Sequence, residues 1–405
     1  MRKLMVTIAS LISSISVSSA EIANDKVRIG LLSDLSGPYE ADTGNGSVLA
    51  AQIAAEEFGN RVNGVPIEIL AADHQNKPDV GAAIANKWFD IDKVDAISDL
   101  VNSAVAMAVV DVAKQKNKAA LLVGAGSADF TGKACAPDTL VHWAYDTYML
   151  ANANGGMVPA LGRKWFMISA DYVFGKALAA SVKTAVEKNG GEIIGSVLHP
   201  IGTTDFSSYV LQAQASKADV VIFNNGGDDT TNAVKTAKEF GLVDRQKVVA
   251  TLDNPRQLKA IGLDTAQKMT YAVAWHRELG EKTAAFARKF LERSPNKVPP
   301  SMMHAGNYSA VRSYILGVAA ANSTDPKAVF AKMREMQIDD AFTPNGKLRP
   351  DGRMVHDAYM MQVKTPAESR GEWDQVEQIG VIPADKAFRS IVDGGCPAMA
   401  NRSNL

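Results

Sequence analysis

Residues 124–134 (Gly124-Ala125-Gly126-Ser127-Ala128-Asp129-Phe130-Thr131-Gly132-Lys133-Ala134) come nearest to a chemistry-bearing motif. A dinucleotide loop needs a third glycine so that its helix and strand can pack closely, but Asp129 holds that place. A P-loop has four residues between its glycines and a magnesium-holding hydroxyl after its lysine. Here five residues separate Gly126 from Gly132, and Ala134 follows Lys133. A nucleophile elbow wants glycines around its serine, whereas Ser127 is flanked by Ala125 and Asp129. The six histidines (His74, His142, His199, His276, His304, His356) are scattered and form no His-x-x-x-His pair. No enzyme chemistry, metal or cofactor is expected.

Polar turns at the ends of apolar runs remain. Asn102-Ser103 closes one run and Ala125-Gly126-Ser127 another. Hydroxyls and free amides at helix starts can receive a carboxylate; alternatively, Ser103 and Ser127 only cap their own helices. A later series supplies Tyr172 and Phe174 in one turn, Asn225 and Gly226 in another, and Asp253 in a third. Asp253 could hold a ligand ammonium or cap the helix after Pro255. Trp143, Tyr145, Trp275 and Tyr308 lie near proposed chain crossings, where rings could stack on a flat ligand or simply fill a core.

These turns must be carried by βα units. Val27–Leu35 is an apolar run suited to a strand buried on both faces, stopped by Ser36-Gly37-Pro38. Strands at Ile67–Asp73, Ala96–Val101 and Ala120–Val123 alternate with helices ending at Phe89 and Lys116. A connector at Thr139–Tyr145 follows, and the pattern restarts. Met149–Leu161 reads as helical. Strands are expected at Trp165–Ala170, Glu192–Leu198, Asp219–Phe223 and Val248–Leu252, with helices reaching Lys188 and spanning Thr230–Phe240. Strands alternating with helical stretches imply a parallel sheet. Two such series imply two lobes. Thr270–Trp275 and Tyr359–Val363 read as strands, Thr283–Leu291 and Met303–Ala321 as helices, and the tail from Pro366 as irregular. The first lobe is expected from 25–143 plus 276–358, and the second from 146–274 plus 361–405. The chain would cross between them near Trp143–Asp146, Ala274–His276 and Asp357–Met361.

Arg2 and Lys3 precede the apolar segment Leu4–Val17, and small residues precede Glu21, the layout of a secretory signal peptide over 1–20. Its removal takes two of the 43 basic residues from a chain with 44 acidic ones. The remaining weak acidity argues against nucleic-acid binding. In an exported chain the two cysteines, Cys135 and Cys396, suggest one disulfide, the alternative being two buried thiols.

Taken in order, Leu35-Ser36-Gly37-Pro38, the Asn102-Ser103 and Gly126-Ser127 turns, Asp171-Tyr172-Val173-Phe174-Gly175, Thr203-Thr204-Asp205-Phe206 and Tyr308–Leu316 give the chain a family likeness. It resembles the periplasmic substrate-binding proteins of ABC importers of the branched-chain amino acid type, over essentially its whole mature length. The resemblance implies an α/β fold (periplasmic binding protein-like I), with two Rossmann-like lobes of parallel sheets joined by three hinge strands. It implies a monomer that clamps a small carboxylate-bearing solute and delivers it to an inner-membrane ABC permease. By resemblance, Asn102, Ser103, Ala125 and Ser127 take the carboxylate, Phe174 is an aromatic wall, and Asp253 takes an amino group. A family serine is replaced by Asn102, a glutamate by Asp253, and a first-lobe tyrosine falls near Asp42. His142–Tyr148 and Gly394-Gly395-Cys396-Pro397 resemble a branch that includes binders of aromatic carboxylic acids, so the solute is expected to be an amino acid or an aromatic or other organic acid. A sensing module for a membrane receptor would use the same clamp. A secreted α/β hydrolase would need a base beside Ser127.

Overall fold

A computed structural model describes residues 22, 25–250 and 254–400. The proposed signal peptide and Asp253 lie outside them. The first lobe is built on β1 (Val27–Ser33), β2 (Arg61–Val62), β3 (Val65–Asp73), β4 (Ala96–Asp99), β5 (Ala119–Leu122) and β6 (Leu140–His142), in the order β2-β3-β1-β4-β5-β6. All neighbours are parallel except the edge hairpin β2–β3, and Ile29 of β1 lies beside Ile69 and Ala96. Helices α1 (Gly44–Glu56), α2 (Pro78–Asp90) and α3 (Ser103–Lys116) make the crossovers. They cover both faces, and Ile29, Leu31 and Leu32 are buried as the apolar run requires.

The second lobe has α4 (Thr147–Gly155), α5 (Val158–Leu161), β7 (Lys164–Ala170), α6 (Val173–Lys188), β8 (Glu192–His199), α7 (Ser207–Ser216), β9 (Val220–Asn224), α8 (Asp228–Glu239), β10 (Lys247–Ala250), α9 (Pro255–Ile261), α10 (Leu263–Ala266) and β11 (Thr270–Val273). Its parallel sheet runs β10-β9-β7-β8. Each lobe therefore has a strand-order reversal, at β1/β4 and at β7/β9. Open α/β sheets bind ligands outside the carboxyl ends of strands at such reversals.

Helices α11 (Glu281–Arg293), α12 (Met302–Ala321) and α13 (Pro326–Glu335) do not begin a third series. α12 packs on α1 and α13 on α12, completing the first lobe. The hairpin β12 (Lys347–Leu348) and β13 (Met354–Val355) leads to β14 (Ala358–Val363), which joins β11 and β15 (Val376–Ile382) in an antiparallel sheet of three.

Two expectations are corrected here. The stretch after Pro366 contains β15, whose residues are mostly exposed and so lack a strong apolar signal. The tail also does not stay with the second lobe. Beyond α14 (Ala384–Ala387) it returns to the first, where Cys396 is bonded to Cys135 with Cα atoms 5.7 Å apart. Closing a loop across 261 positions stabilises by about 5–6 kcal/mol in the chain-entropy limit, commonly less. Reduction is expected to lower the urea midpoint, and Cys135→Ser with Cys396→Ser should reproduce the shift; unchanged unfolding curves would contradict this. No helix among the described residues is long and apolar enough to cross a membrane.

Candidate functional site

The loop after β5 is oriented by the first crossing. Tyr145 donates its hydroxyl to Gly124 O at 2.7 Å, His142 Nε2 lies 2.6 Å from Ala125 O, and Thr147 N donates to Gly126 O at 2.7 Å. Burial and nearby Arg353 hold His142 well below its ordinary pKa. A neutral ring facing a carbonyl must carry its proton on Nε2. Peptide units are planar and trans. With three successive carbonyls drawn toward the crossing, the amides of Ala125, Gly126 and Ser127 point the other way. Ser127 N donates to Ser103 Oγ at 3.3 Å. Among the described residues, the Ala125 and Gly126 amides meet no acceptor. Ser127 Oγ accepts from Asp129 N at 3.4 Å, leaving its proton available. Two free amides and two hydroxyls form a ready receptor for a carboxylate.

The crossing itself is bolted from behind. Arg353 is fully buried, donating to Trp143 O at 2.7 Å, Tyr145 O at 3.0 Å and Met354 O at 3.0 Å. Its guanidinium lies 4.1 Å from the centre of the Phe388 ring and 3.7 Å from Asp146. His356 Nε2 is 2.7 Å from Ala144 O. Carbonyls 143, 144 and 145 are thus all held by the third crossing, and the first crossing in turn holds carbonyls 124, 125 and 126.

From the second lobe, Phe174 and Tyr172 face this loop. A Cβ on Gly126 would lie 2.7 Å from both Phe174 and Tyr145. Tyr172 and Tyr39 share a hydroxyl contact of 2.9 Å across the lobes. Asp228 N donates to Pro38 O at 3.1 Å, Asn254 Nδ2 donates to Asp42, and Arg256 pairs with Glu40. At Gly227, φ is +62° and a Cβ would collide with Pro38 O. The lobes therefore meet along a close seam, with the nest of amides on one side.

Several expected site residues are placed elsewhere or differently. Asn102 is an N-cap: its Oδ1 accepts from Ala104 N at 2.9 Å and Val105 N at 3.3 Å, so that oxygen serves α3. Asn225 is tied within its own lobe, accepting from Thr230 Oγ1 at 2.9 Å with its Nδ2 3.3 Å from His199. Gly226 is buried beside Gly227. Trp143 and Trp275 are core of the first lobe, donating to Ser309 Oγ and Ala341 O. Tyr308 bonds Glu57 at 2.7 Å on a different face. Wide aromatics near crossings fill interiors here because burial of their large area dominates.

Tyr39, Asp42, Thr147, Asp229 and Arg353 were not singled out as site residues. Asp42 carried one signal, standing near a family tyrosine. Asp229 was hidden because its segment reads as a turn, whereas α8 starts at Asp228.

The electrostatics are unusual for carboxylates. Burial pushes Asp42 and Asp229 up to about 7 and Asp99 to about 6, with acidic neighbours adding to each. Asp99 has a left-handed backbone (φ 83°), as does Leu100 (φ 58°), in a segment whose carbonyl accepts from Val123 N and Gly124 N. Such strain persists only where surroundings over-determine it.

All six histidines are pushed below their ordinary pKa, chiefly by burial, His276 to about 3 and His74, His304 and His356 to about 4. They are neutral when folded and charge when unfolded, so stability is lost as pH falls below about 6.5. Five aspartates are raised by burial, Asp228 and Asp340 besides these three, and they act oppositely, losing stability as pH rises from about 4 toward their folded values. Six groups against five predict a small net fall in the urea midpoint from pH 6.5 to pH 4.5. A rise over that range would contradict these assignments.

Among the described residues no group of three metal-ligand side chains occurs. Ser127 has no histidine partner, since the His142 proton is committed to Ala125 O, and the elements of an activated nucleophile are not assembled.

A sequence profile of the family described as periplasmic binding protein matches residues 26–371. A periplasmic binding protein of Burkholderia mallei is 40% identical, the match covering 92% of this chain and 99% of that one, with a TM-score of 0.89. A branched chain amino acid ABC transporter periplasmic ligand-binding protein of Burkholderia xenovorans LB400 is 36% identical over 92% and 99% of the two chains, with a TM-score of 0.82. Leu/Ile/Val-binding protein homolog 6 of Brucella melitensis is 25% identical over 245 residues; the match spans 60% of this chain and only 61% of the relative's length. The profile, the two strand-order reversals facing one seam and the three crossings agree: the chain belongs to the periplasmic binding protein family, of the branched-chain amino acid ABC transporter type.

Proposed function

We propose that this chain is an extracytoplasmic, monomeric receptor that closes its two lobes on a small carboxylate-bearing solute and passes it unaltered to an ABC permease. The supporting observation is the pair of unpartnered amides at Ala125 and Gly126, aimed away from the crossing that holds their carbonyls. Ser103 and Ser127 supply hydroxyls beside them, and Phe174, Tyr145 and Tyr172 wall the site. A solute touching both lobes favours the closed state by its differential affinity for it.

A thermal-shift screen with amino acids and with benzoate-type acids tests the reading, because stabilisation follows RT ln(1 + [L]/Kd). At least one carboxylate should raise the midpoint, and Ser127→Ala should weaken its binding by roughly 10–150-fold, the loss of one hydrogen bond to a charged group at about 1.5–3 kcal/mol. No shift from either class, or an unchanged Kd in Ser127→Ala, would count against the nest. Recovery of bound solute unchanged after incubation separates binding from hydrolysis.

A further inference from the structure

We propose that the tail segment 383–396 is a fourth connection between the lobes and fixes the solute site from its far end, with Arg389 as the positioning residue. This rests on the reading of the amide nest as the solute site. The tail leaves the second lobe at β15, which pairs with β14. It is tied down at Ala384, whose N donates to Asp357 Oδ1 at 2.9 Å, and at Lys386, whose O accepts from Asn152 Nδ2 of α4 at 2.8 Å. Phe388 is buried, edge to face with His356 at 5.1 Å between ring centres. Arg389 O then accepts from Arg349 Nη1 at 2.8 Å. Beyond it, α15 (Ile391–Gly394) lies against the 3₁₀ turn Ala128–Thr131 of the first lobe.

The tail's last anchors all fall on one short segment, 128–135. Arg389 Nη2 donates to Ala128 O. A Cβ on Gly132 would collide with the Arg389 guanidinium and stand 2.7 Å from Gly394 O, so tail and turn are in close contact there. Cys396 is bonded to Cys135. This segment begins where the nest ends. The first crossing holds carbonyls 124, 125 and 126, whereas carbonyl 128 is held by Arg389. That carbonyl shares its peptide unit with the N–H of Asp129, which donates to Ser127 Oγ at 3.4 Å. In a planar trans peptide the C=O and N–H point in opposite directions. Drawing Ala128 O toward Arg389 therefore aims the Asp129 N–H at the Ser127 hydroxyl and turns the hydroxyl proton outward, toward the solute. Among the described residues Arg389 has no carboxylate in ion-pair reach, and a charged donor bonds a carbonyl more strongly than a neutral one does. The two ends of the nest are thus set by different parts of the chain, its amides by the first crossing and its Ser127 hydroxyl by the tail.

Calorimetry on the mature protein with leucine and with benzoate tests this. Arg389→Met keeps the stem and removes the donors. It should raise the Kd of the probe that binds by about tenfold, the lower end of the loss when a group behind a ligating residue is removed. Arg389→Lys, with one charged donor, should recover part of it. In a Ser127→Ala background the further loss from Arg389→Met should shrink to about twofold, because residues that act through one group are not additive. Hydrogen exchange of the unliganded proteins reads the link without solute: amides 127–131 should exchange faster in Arg389→Met while those of β7 and β9 do not change. Cys135→Ser with Cys396→Ser frees the same segment and should shift Kd and exchange in the same direction, which keeps the proposal testable if Arg389→Met does not fold. An unchanged Kd in folded Arg389→Met, losses that simply add to those of Ser127→Ala, or unchanged exchange over 127–131 would each overturn the role of the tail while the carboxylate site stands. An unchanged Kd in Ser127→Ala itself would overturn the reading of the nest, and this proposal with it.

Discussion

Gly126→Ala should weaken solute binding by about 5–150-fold while the unliganded protein keeps its fold. The added methyl would stand 2.7 Å from Phe174 and from Tyr145, closer than real side-chain carbons approach. Overpacking of this kind costs about 1–3 kcal/mol. The cost falls unequally on the two states. Phe174 belongs to the second lobe and can recede when the lobes part, so its share of the collision is felt on closure, whereas the share from Tyr145, bonded to Gly124 O of the same loop, is felt in both states. The amide of residue 126 also belongs to the nest, and a displaced loop would turn it off the carboxylate. The expected signature is a raised Kd in calorimetry beyond what a modest fall in the urea midpoint of the unliganded protein accounts for. A variant that binds as well as the parent would show that the nest does not touch solute. Equal losses in stability and binding would show that Phe174 packs on the loop in both states.

The same residue shows where sequence reading reached its limit. Gly126 was legible as part of a turn between a strand and a helix, because glycine and serine after an apolar run have a short-range meaning. Its partners were not. Phe174 is 48 positions away in another lobe, and only the fold brings it over the glycine. The lobes and their alternating units were legible because buried parallel strands leave continuous apolar runs, as in Val220–Asn224. β15 was not, since three consecutive exposed residues, Glu377, Gln378 and Ile379, break any period-two pattern. Asp229 falls one residue short of the helix expected from Thr230, because Gly226-Gly227 before it punctuates the chain, although an acid in the first helical turn is equally natural. Trp275 was placed near the ligand because it lies at a crossing, yet its indole N–H donates to Ala341 O at 2.8 Å inside the first lobe. Position along the chain could not say which way the ring turned.

Arg353→Met is expected to destabilise the protein by about 3–5 kcal/mol, the cost typical of removing one partner from a buried charged cluster. Among the described residues the guanidinium alone donates to both Trp143 O and Tyr145 O, and buried carbonyls left without donors are costly. Burial lowers its pKa only to about 10, so it remains charged at neutral pH. Nothing in Arg-Pro-Asp-Gly-Arg-Met (349–354) announces this role, since arginine in a polar turn normally faces water. The consequence extends to binding. Tyr145 and Thr147, which fix Gly124 O and Gly126 O, are carried on the segment that Arg353 holds. Loosening that segment should relax the alignment of the Ala125 and Gly126 amides, and so raise Kd beyond what a global loss of stability accounts for under conditions where the variant is folded. Arg353→Lys separates charge from geometry. A single ammonium on a flexible stem cannot span carbonyls 143, 145 and 354 as the planar fork does. It should therefore keep the charge beside Asp146 and recover only part of the stability and affinity. Full recovery by lysine would show that the charge alone matters, and an unaltered Kd in folded Arg353→Met would sever the third crossing from the solute site.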